Sequence, residues 1–206
     1  MSYRIGILAL QGDFAEHASK LRSLGHEAIE VRRVPELDGL DGLIIPGGES
    51  TTIAKLEDAA SRFTLATPDA VPIFDAISAL AKNGLPVWGT CMGSIVLAQR
   101  IEGSAQGRIA LMDVTVRRNA FGPQRNSAEV LLAIPSLGSE PFPAVFIRAP
   151  LFIESSATVE RLAEYAGGFV MARQGSLLIT AFHPELTDDP RVHQYFLRMI
   201  DQAKGS

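Results

Sequence analysis

The sequence lacks several features that would assign it to a specialised class of protein. It contains one cysteine in 206 residues, so no disulfide can form within the chain, and a lone thiol is typical of a reducing compartment. It has no apolar run near the roughly 20 residues that a transmembrane helix needs, and no secretory leader pattern at its start. Its 19 basic and 23 acidic residues give a net charge of −4, which argues against non-specific binding to nucleic acid or an anionic membrane. We therefore expect a cytoplasmic protein with neither kind of partner.

The first half of the chain alternates short apolar runs with helical patterns. Asp13 is expected to cap the first helix, with Glu16 at the capping-box spacing, and that helix should end at Gly25. The pattern predicts strands at 4–10, 28–31, 40–45 and 86–90, and further helices starting near 51, at 73–81 and at 92–100. Residues 62–72 are expected to form a surface loop. Such alternation predicts parallel strands whose connecting helices cover both faces of the sheet.

The second half is richer in strand patterns and ends in a helix. Extended segments are predicted at 109–116, 129–134, 144–148, 168–172 and 177–182, and the last helix at 191–203. Hydrophobic residues make up 47% of the chain and charged residues 20%, which suits a globular domain with its own core. We expect one α/β domain over residues 1–206, a three-layer sandwich with a mostly parallel central sheet and helices on both faces.

Cys91 lies between two glycines, Gly89 and Gly93, where a predicted strand ends and a helix begins. The G-x-C-x-G spacing is the thiol counterpart of a nucleophile elbow, because small residues are needed where a sharp strand-to-helix turn crowds the backbone. A helix N-terminus favours a thiolate and leaves an amide N–H to hold an oxyanion. Most lone cysteines are buried apolar residues, but this context favours a nucleophile.

His183 is the best candidate for the base that such a nucleophile needs. It follows the apolar run 177–182, and Glu185 comes two residues later, on the same side if the chain is extended. Glu185 would then orient the imidazole and stabilise its charged form. The alternative is a surface His-Pro turn. His17 and His193 lie inside predicted helices and are expected to be solvated or packing residues.

A turn of sequence Pro-Gly-Gly-Glu-Ser-Thr-Thr follows the third predicted strand, at residues 46–52. Its paired glycines allow a backbone N–H to point into a cleft, where it would supply a second oxyanion donor. An ordinary strand-to-helix turn is the alternative. A phosphate-binding loop is disfavoured because the Lys-Ser/Thr ending is absent, and the scattered histidines and single cysteine lack the spacing of metal ligands.

Taken together, these motifs resemble the triad-type (class I) glutamine amidotransferases, and their detail resembles the glutaminase subunits of pyridoxal 5′-phosphate synthase. The similarity runs from about residue 4 to residue 199. It is carried by Leu-Ala-Leu-Gln-Gly-Asp at 8–13, Glu-His at 16–17, the turn at 46–52, Gly-Thr-Cys at 89–91, Arg-Asn-Ala-Phe-Gly at 118–122, Phe-Ile-Arg-Ala-Pro at 146–150 and Phe-His-Pro-Glu-Leu-Thr-Asp-Asp at 182–189. The chain departs from the family at Met92, Ser94 and Pro123, where Ala, Leu and Arg are usual.

The resemblance implies a flavodoxin-like fold and hydrolysis of L-glutamine to glutamate and ammonia. By the same resemblance, Cys91 attacks the side-chain amide, His183 transfers protons and Glu185 orients His183. The backbone N–H groups of Gly48 and Met92 would hold the oxyanion. The residues implied to bind glutamine are Gly48, Glu49, Ser50, Arg118, Ile147 and Arg148.

The resemblance also implies a partner, a (β/α)₈-barrel synthase subunit that assembles in a double ring and uses the ammonia to make pyridoxal 5′-phosphate (vitamin B6). No metal or organic cofactor is implied for this subunit. Two alternatives stay open: a glutaminase serving another acceptor, such as imidazole glycerol phosphate synthase, and a stress-response or binding protein of the same fold that has the cysteine elbow without glutaminase activity.

Overall fold

The computed structural model describes residues 2–48, 72–105, 108–118, 120 and 127–205. Within them the α-helices are α1 (Phe14–Ser23), α2 (Ile73–Lys82), α3 (Met92–Leu97) and α4 (Arg191–Lys204). The strands are β1 (Arg4–Leu8), β2 (Glu27–Val31), β3 (Gly42–Ile45), β4 (Val87–Thr90), β5 (Ala98–Ile101), β6 (Met112–Arg117), β7 (Ser127–Leu132), β8 (Phe142–Ile147), β9 (Leu151–Ser155), β10 (Glu160–Tyr165), β11 (Gly168–Gln174) and β12 (Leu177–Thr180). The helix predicted near residue 51 and the loop predicted at 62–72 lie outside the described residues, apart from Pro72.

Ten of these strands form one mixed sheet in the order β2-β1-β3-β4-β12-β11-β9-β6-β5, with β10 paired to β11. The pairings from β2 across to β12 are all parallel. Those that join β12, β11, β9 and β6 are antiparallel, and β7 pairs with β8 in a separate hairpin. The predicted α/β fold, with a mostly parallel centre and a strand-rich second half, is confirmed.

The direction of the chain across the sheet reverses at β1. The connection from β1 leads to β2 on one side, whereas β3 and β4 follow on the other side. Parallel crossovers are almost always right-handed, so connections in opposite directions carry their helices on opposite faces of the sheet. Both β3 and β4 are buried along their whole length, as strands covered on two faces should be. Such a reversal opens a crevice at the carboxyl ends of the strands, where ligands bind in this class of fold.

Two parts of the sequence-based prediction need correction. The helix predicted at 92–100 ends at Leu97, because the chain becomes extended at Ala98 and pairs in parallel with β6. In that strand Ala98 and Ile101 are buried while the two residues between them are exposed, so pairing overrides the helical pattern. Strands β9 and β10 were not predicted. Within the described residues, no helix is both long and apolar enough to cross a membrane.

Candidate active site

Cys91 lies in a tight turn between β4 and α3. Its φ and ψ are 45° and −104°, a conformation that residues with side chains rarely adopt and that costs of the order of 1–3 kcal/mol. The flanking glycines are required by close packing. A Cβ on Gly89 would lie 2.5 Å from the backbone of Gly93, and a Cβ on Gly93 would overlap the carbonyl oxygen of Ile45. The turn therefore has the crowded backbone that the G-x-C-x-G spacing predicted.

Hydrogen bonds hold this turn beside the end of β12. The amide of Cys91 donates to the carbonyl oxygen of Thr180 at 2.7 Å, and Thr180 is paired with Thr90 in the sheet register. Ser94 donates twice to the carbonyl oxygen of Cys91, from its amide at 3.2 Å and from its hydroxyl at 2.5 Å. Because β4 and β12 run in parallel, Cys91 and His183 both emerge at the same edge of the sheet.

The imidazole of His183 bonds to the carboxylate of Glu185, with 2.8 Å between Nδ1 and Oε1. Both residues are almost fully buried. The predicted contact is present, but the reason given for it was wrong. Residues Pro184–Leu186 form a 3₁₀ turn and not an extended segment, so the turn, and not strand alternation, brings the two side chains together.

Cys91 lies next to His183 and interacts with its imidazole. Burial alone would lower the pKa of the imidazole, but the hydrogen bonds with Asp13 and Glu185 and the interaction with Cys91 outweigh burial and raise the pKa of His183 well above 6.5. A protonated imidazole stabilises a neighbouring thiolate. Sγ of Cys91 also lies 3.8 Å from the carbonyl oxygen of Ile147, at the end of β8.

Asp13 belongs to this site, although the sequence had suggested a helix cap. It precedes α1 but makes no capping hydrogen bond with its side chain. Its Oδ2 instead lies 3.2 Å from Nδ1 of His183, and this hydrogen bond lowers the pKa of the Asp13 carboxyl. Burial has the opposite effect on Glu185, whose pKa is raised. Two carboxylates with different surroundings therefore share one N–H.

Two histidines that the sequence left as solvated or packing residues lie directly behind Glu185. His17 and His193 are fully buried, so a solvated position is wrong for both. Nε2 of His17 lies 3.3 Å from Oε2 of Glu185, and its Nδ1 lies 3.0 Å from Nε2 of His193. The sequence held a signal for this burial: His17 is three residues after Phe14 and four before Leu21, on the apolar side of the helix.

The glycine turn after β3 packs against the loop that follows β1. Gly48 has a φ of 146°, and a Cβ there would lie 2.9 Å from the side-chain amide of Gln11. The amide of Asp13 donates to the carbonyl oxygen of Gly47 at 3.3 Å. Met92 begins α3, and its side chain is buried in the hydrophobic core. The two residues predicted to hold an oxyanion, Gly48 and Met92, thus lie on turns that flank Cys91 and His183.

The remaining candidates for glutamine binding divide into three groups. Ile147 contacts Cys91, and the next residue, Arg148, is exposed and has a φ of 48°. Arg118 follows β6, and the segments that carry the two arginines are joined where Ala120 donates to the carbonyl oxygen of Ala149 at 3.1 Å. Glu49 and Ser50 lie outside the described residues.

Among the residues that the structure describes, one cluster of side chains has donor atoms close enough for a metal ion. These atoms belong to Asp13, His183 and Glu185 and lie within 4.8 Å of one another. They are the same atoms that share the proton on Nδ1 of His183, so an ion would have to displace that proton. The arrangement as it stands is a hydrogen-bonded group suited to proton transfer.

Similar sequences and structures identify the family of this chain. Residues 7–202 match the SNO glutamine amidotransferase family. The chain belongs to this family. A relative from Moorella thermoacetica, named pyridoxal 5′-phosphate synthase subunit PdxT, is 54% identical over 197 residues, covering 96% of this chain and 99% of the relative. A relative of the same name from Brevibacillus brevis is 46% identical and covers 98% of this chain and 100% of its own.

Solved structures agree with the family assignment. A crystal structure of a glutamine amidotransferase superposes with a TM-score of 0.84 at 46% identity, covering 96% of this chain and 98% of that one. Another glutamine amidotransferase, from Thermotoga maritima, has a TM-score of 0.61 at 14% identity and covers 99% of this chain and 86% of its own, which shows a shared fold alone. Membership of the SNO glutamine amidotransferase family confirms the resemblance that the motifs indicated.

Proposed function

We propose that this chain is the glutaminase subunit of a pyridoxal 5′-phosphate synthase, hydrolysing L-glutamine to L-glutamate and ammonia. The observation that carries the proposal is the position of Cys91, held in an elbow, next to His183, whose imidazole bonds to Glu185. The relatives described above are named as pyridoxal 5′-phosphate synthase subunits, and the similarity covers nearly their whole length. The family assignment disfavours the stress-response or binding alternative.

The first half of the reaction follows from a thiolate on Cys91 beside a protonated His183. The Cys91 thiolate attacks the side-chain carbonyl carbon of glutamine, and the backbone N–H groups of Gly48 and Met92 stabilise the negative oxygen of the tetrahedral intermediate. When the intermediate collapses, the carbon–nitrogen bond breaks and His183 gives its proton to the leaving ammonia. The product on the enzyme is a γ-glutamyl thioester.

The second half restores the starting state. His183, now neutral, takes a proton from water, and the hydroxide attacks the thioester carbon. The carbon–sulfur bond breaks, which releases glutamate and returns the thiolate beside the imidazolium. Glu185 stabilises the positive ring in both halves, because its buried carboxylate accepts the Nδ1–H bond at 2.8 Å.

Glutamine binding is assigned to residues of the glycine turn after β3, to the residue that follows β6 and to residues at the end of β8. The planar guanidinium groups of Arg118 and Arg148 suit the α-carboxylate, since each can bind two oxygens at once. The full set proposed to hold the substrate is Gly48, Glu49, Ser50, Arg118, Ile147 and Arg148. We assign no metal or organic cofactor to the reaction.

The ammonia acceptor is proposed to be a (β/α)₈-barrel synthase subunit in a double-ring assembly. Support for a synthase partner comes from the names of the relatives, and a chemical reason supports coupling: free ammonia becomes protonated in water and is lost as a nucleophile. Residues 1–206 would form a single amidotransferase domain, consistent with the family match at 7–202. A cytoplasmic location belongs to the same proposal, since Cys91 is a free thiol.

The test is glutamate release from L-glutamine, with and without the synthase subunit. We expect low release by the chain alone, a large rise on mixing, and complete loss in Cys91→Ala. Equal rates alone and mixed would contradict the partner. A glutaminase assay in the presence of the imidazole glycerol phosphate synthase partner serves as the control for acceptor specificity, and no stimulation is expected there.

A further inference from the structure

The outer oxygen of Glu185, Oε2, is the carboxylate oxygen that does not bond to His183. It lies in a buried polar layer that the proposed reaction does not use. Oε2 of Glu185 is buried and has no hydrogen-bond partner among the described residues. Nε2 of His17 is hydrogen-bonded to the hydroxyl of Thr90 at 3.3 Å and also lies 3.3 Å from Oε2 of Glu185. Both the His17 and Glu185 side chains are completely buried. Bonds of this kind are often long in a free enzyme and tighten when substrate binds.

Burial fixes the protonation state of the two histidines in this layer. It lowers the pKa of His17 well below 6.5, with His193 and His183 adding to the effect, and it lowers the pKa of His193 to about 3. Both rings are therefore neutral near pH 7, and each has one N–H and one acceptor nitrogen.

The proton positions follow from the atom that lacks a partner. Nδ1 of His193 is buried without a hydrogen bond among the described residues. Buried N–H groups without partners are rarer than unpaired acceptors, which places the proton of His193 on Nε2. That N–H donates to Nδ1 of His17 at 3.0 Å. The single proton of His17 must then sit on Nε2, facing Glu185.

We infer that His17 is a positioning residue, whose Nε2–H holds the outer oxygen of Glu185 and keeps that carboxylate ionised and aimed at His183. The inference rests on the proposed roles of His183 and Glu185. A buried carboxylate oxygen without a donor is stabilised by taking up a proton. A neutral Glu185 would no longer stabilise the imidazolium, and fewer molecules would hold the thiolate form of Cys91.

Other charged groups around Glu185 determine how strongly the loss of His17 would weaken the stabilisation of the imidazolium. Asp13 raises the pKa of Glu185 through its own negative charge, and it accepts a bond from the same ring nitrogen of His183. Asp13 can therefore partly replace a neutral Glu185 as the partner of His183. A surface groove next to Glu185 is lined by the charged side chains of Glu16, Lys20 and Asp188.

Two substitutions of similar shape separate positioning from packing. The amide nitrogen of His17→Gln reaches the place of Nε2 and can donate to Glu185, whereas that of His17→Asn reaches only the place of Nδ1. The readout is the pH dependence of alkylation of Cys91 by iodoacetamide, since Cys91 is the single cysteine. This rate reports the thiolate–imidazolium pair without glutamine or the synthase subunit.

Near pH 6.5 we expect the alkylation rate of His17→Asn to be about tenfold lower than that of the unmodified chain. The rate of His17→Gln should stay within about twofold of it. The loss should be larger when Asp13→Asn is also present. In the glutaminase assay His17→Asn should lower kcat and leave KM unchanged. His26→Gln is the control, because His26 is a partly exposed histidine that bonds to the amide of Tyr3, away from the site.

Equal loss in both His17 variants would indicate packing alone and overturn the inference, as would an unchanged rate in a folded His17→Asn. Nuclear magnetic resonance of the ring nitrogens of the unmodified chain needs no variant to fold. It should place a proton on Nε2 of His17 near pH 7, and a proton on Nδ1 would overturn the inference. Neither the alkylation rate nor the nuclear magnetic resonance spectrum requires glutamine, so lack of glutaminase activity alone would count only against the proposed function.

Discussion

The carboxylate of Asp13 lies 3.2 Å from Nδ1 of His183, the same nitrogen that bonds to Glu185 at 2.8 Å. The Asp13 side chain is 37% exposed, whereas that of Glu185 is fully buried. Water can therefore reach one of the two acceptors and not the other. The charge on the imidazole is therefore stabilised by one buried carboxylate and by a second one that is partly exposed to solvent.

Asp13→Asn should shift the alkaline limb of the glutaminase pH profile to lower pH, by about one unit. The hydrogen bond to Asp13 is one of the contacts that raise the pKa of His183, so its loss lets the imidazolium deprotonate sooner as pH rises. Glu185 and Cys91 still hold the ring above its ordinary value. The measurement is kcat/KM against pH with the synthase subunit present. Asp75→Asn, at an exposed position on α2, should leave the profile unchanged. An unaltered alkaline limb in Asp13→Asn would count against the assigned role.

Gly93→Ala should destabilise the protein and abolish glutamate release. The added Cβ would overlap the carbonyl oxygen of Ile45, a backbone atom of β3 that cannot turn aside as the end of a side chain could. We expect a loss of more than about 2 kcal/mol in the free energy of unfolding, measured with urea. Gly205→Ala is the matched control: its φ is −88° and the nearest atom to its Cβ would be 3.5 Å away, so stability should change little. Equal stability of the two variants would contradict the crowding of the elbow.

The buried histidines should make the protein lose stability in mild acid. Both His17 and His193 have pKa values lowered by burial, so below about pH 6.5 the unfolded chain binds protons that the folded chain does not. Stability therefore falls as pH drops from about 6.5 toward the folded values. From pH 6.5 to 5 each ring should contribute a loss of about 2 kcal/mol. Urea unfolding at the two pH values measures the loss, and His193→Gln should reduce it. A His193→Gln variant that loses as much stability as the unmodified chain would rule this cause out.

Local sequence patterns predicted those parts of the site that depend on neighbouring residues. The G-x-C-x-G spacing predicted the crowded turn at Cys91, because each glycine contacts backbone only a few residues away or on the next strand. The closeness of His183 and Glu185 follows from their separation by one residue, even though a 3₁₀ turn and not extended chain produces it. The helices at 73–81 and 191–203 were also found, since their apolar residues repeat with helical spacing.

The parts that were missed depend on contacts between distant segments. Asp13 has the residue type of a helix cap, and only the approach of His183, 170 positions along the chain, shows its other use. The pairing of His17 with His193 likewise needs α1 and α4 on the same face of the sheet. Strand β10 has the sequence Glu-Arg-Leu-Ala-Glu-Tyr, in which charged residues interrupt the apolar ones and only part of the strand is buried, so no apolar run marks it.

The central claim is that Cys91 forms a covalent bond with the side-chain carbonyl of glutamine. Its most direct test is rapid acid quenching of the complex with L-glutamine, followed by mass spectrometry of the intact chain and its peptides. We predict an added mass of about 129 Da, the γ-glutamyl group, on the peptide that contains Cys91, and no adduct in Cys91→Ala. Undiminished glutamate release by Cys91→Ala, or an adduct on another residue, would contradict the account.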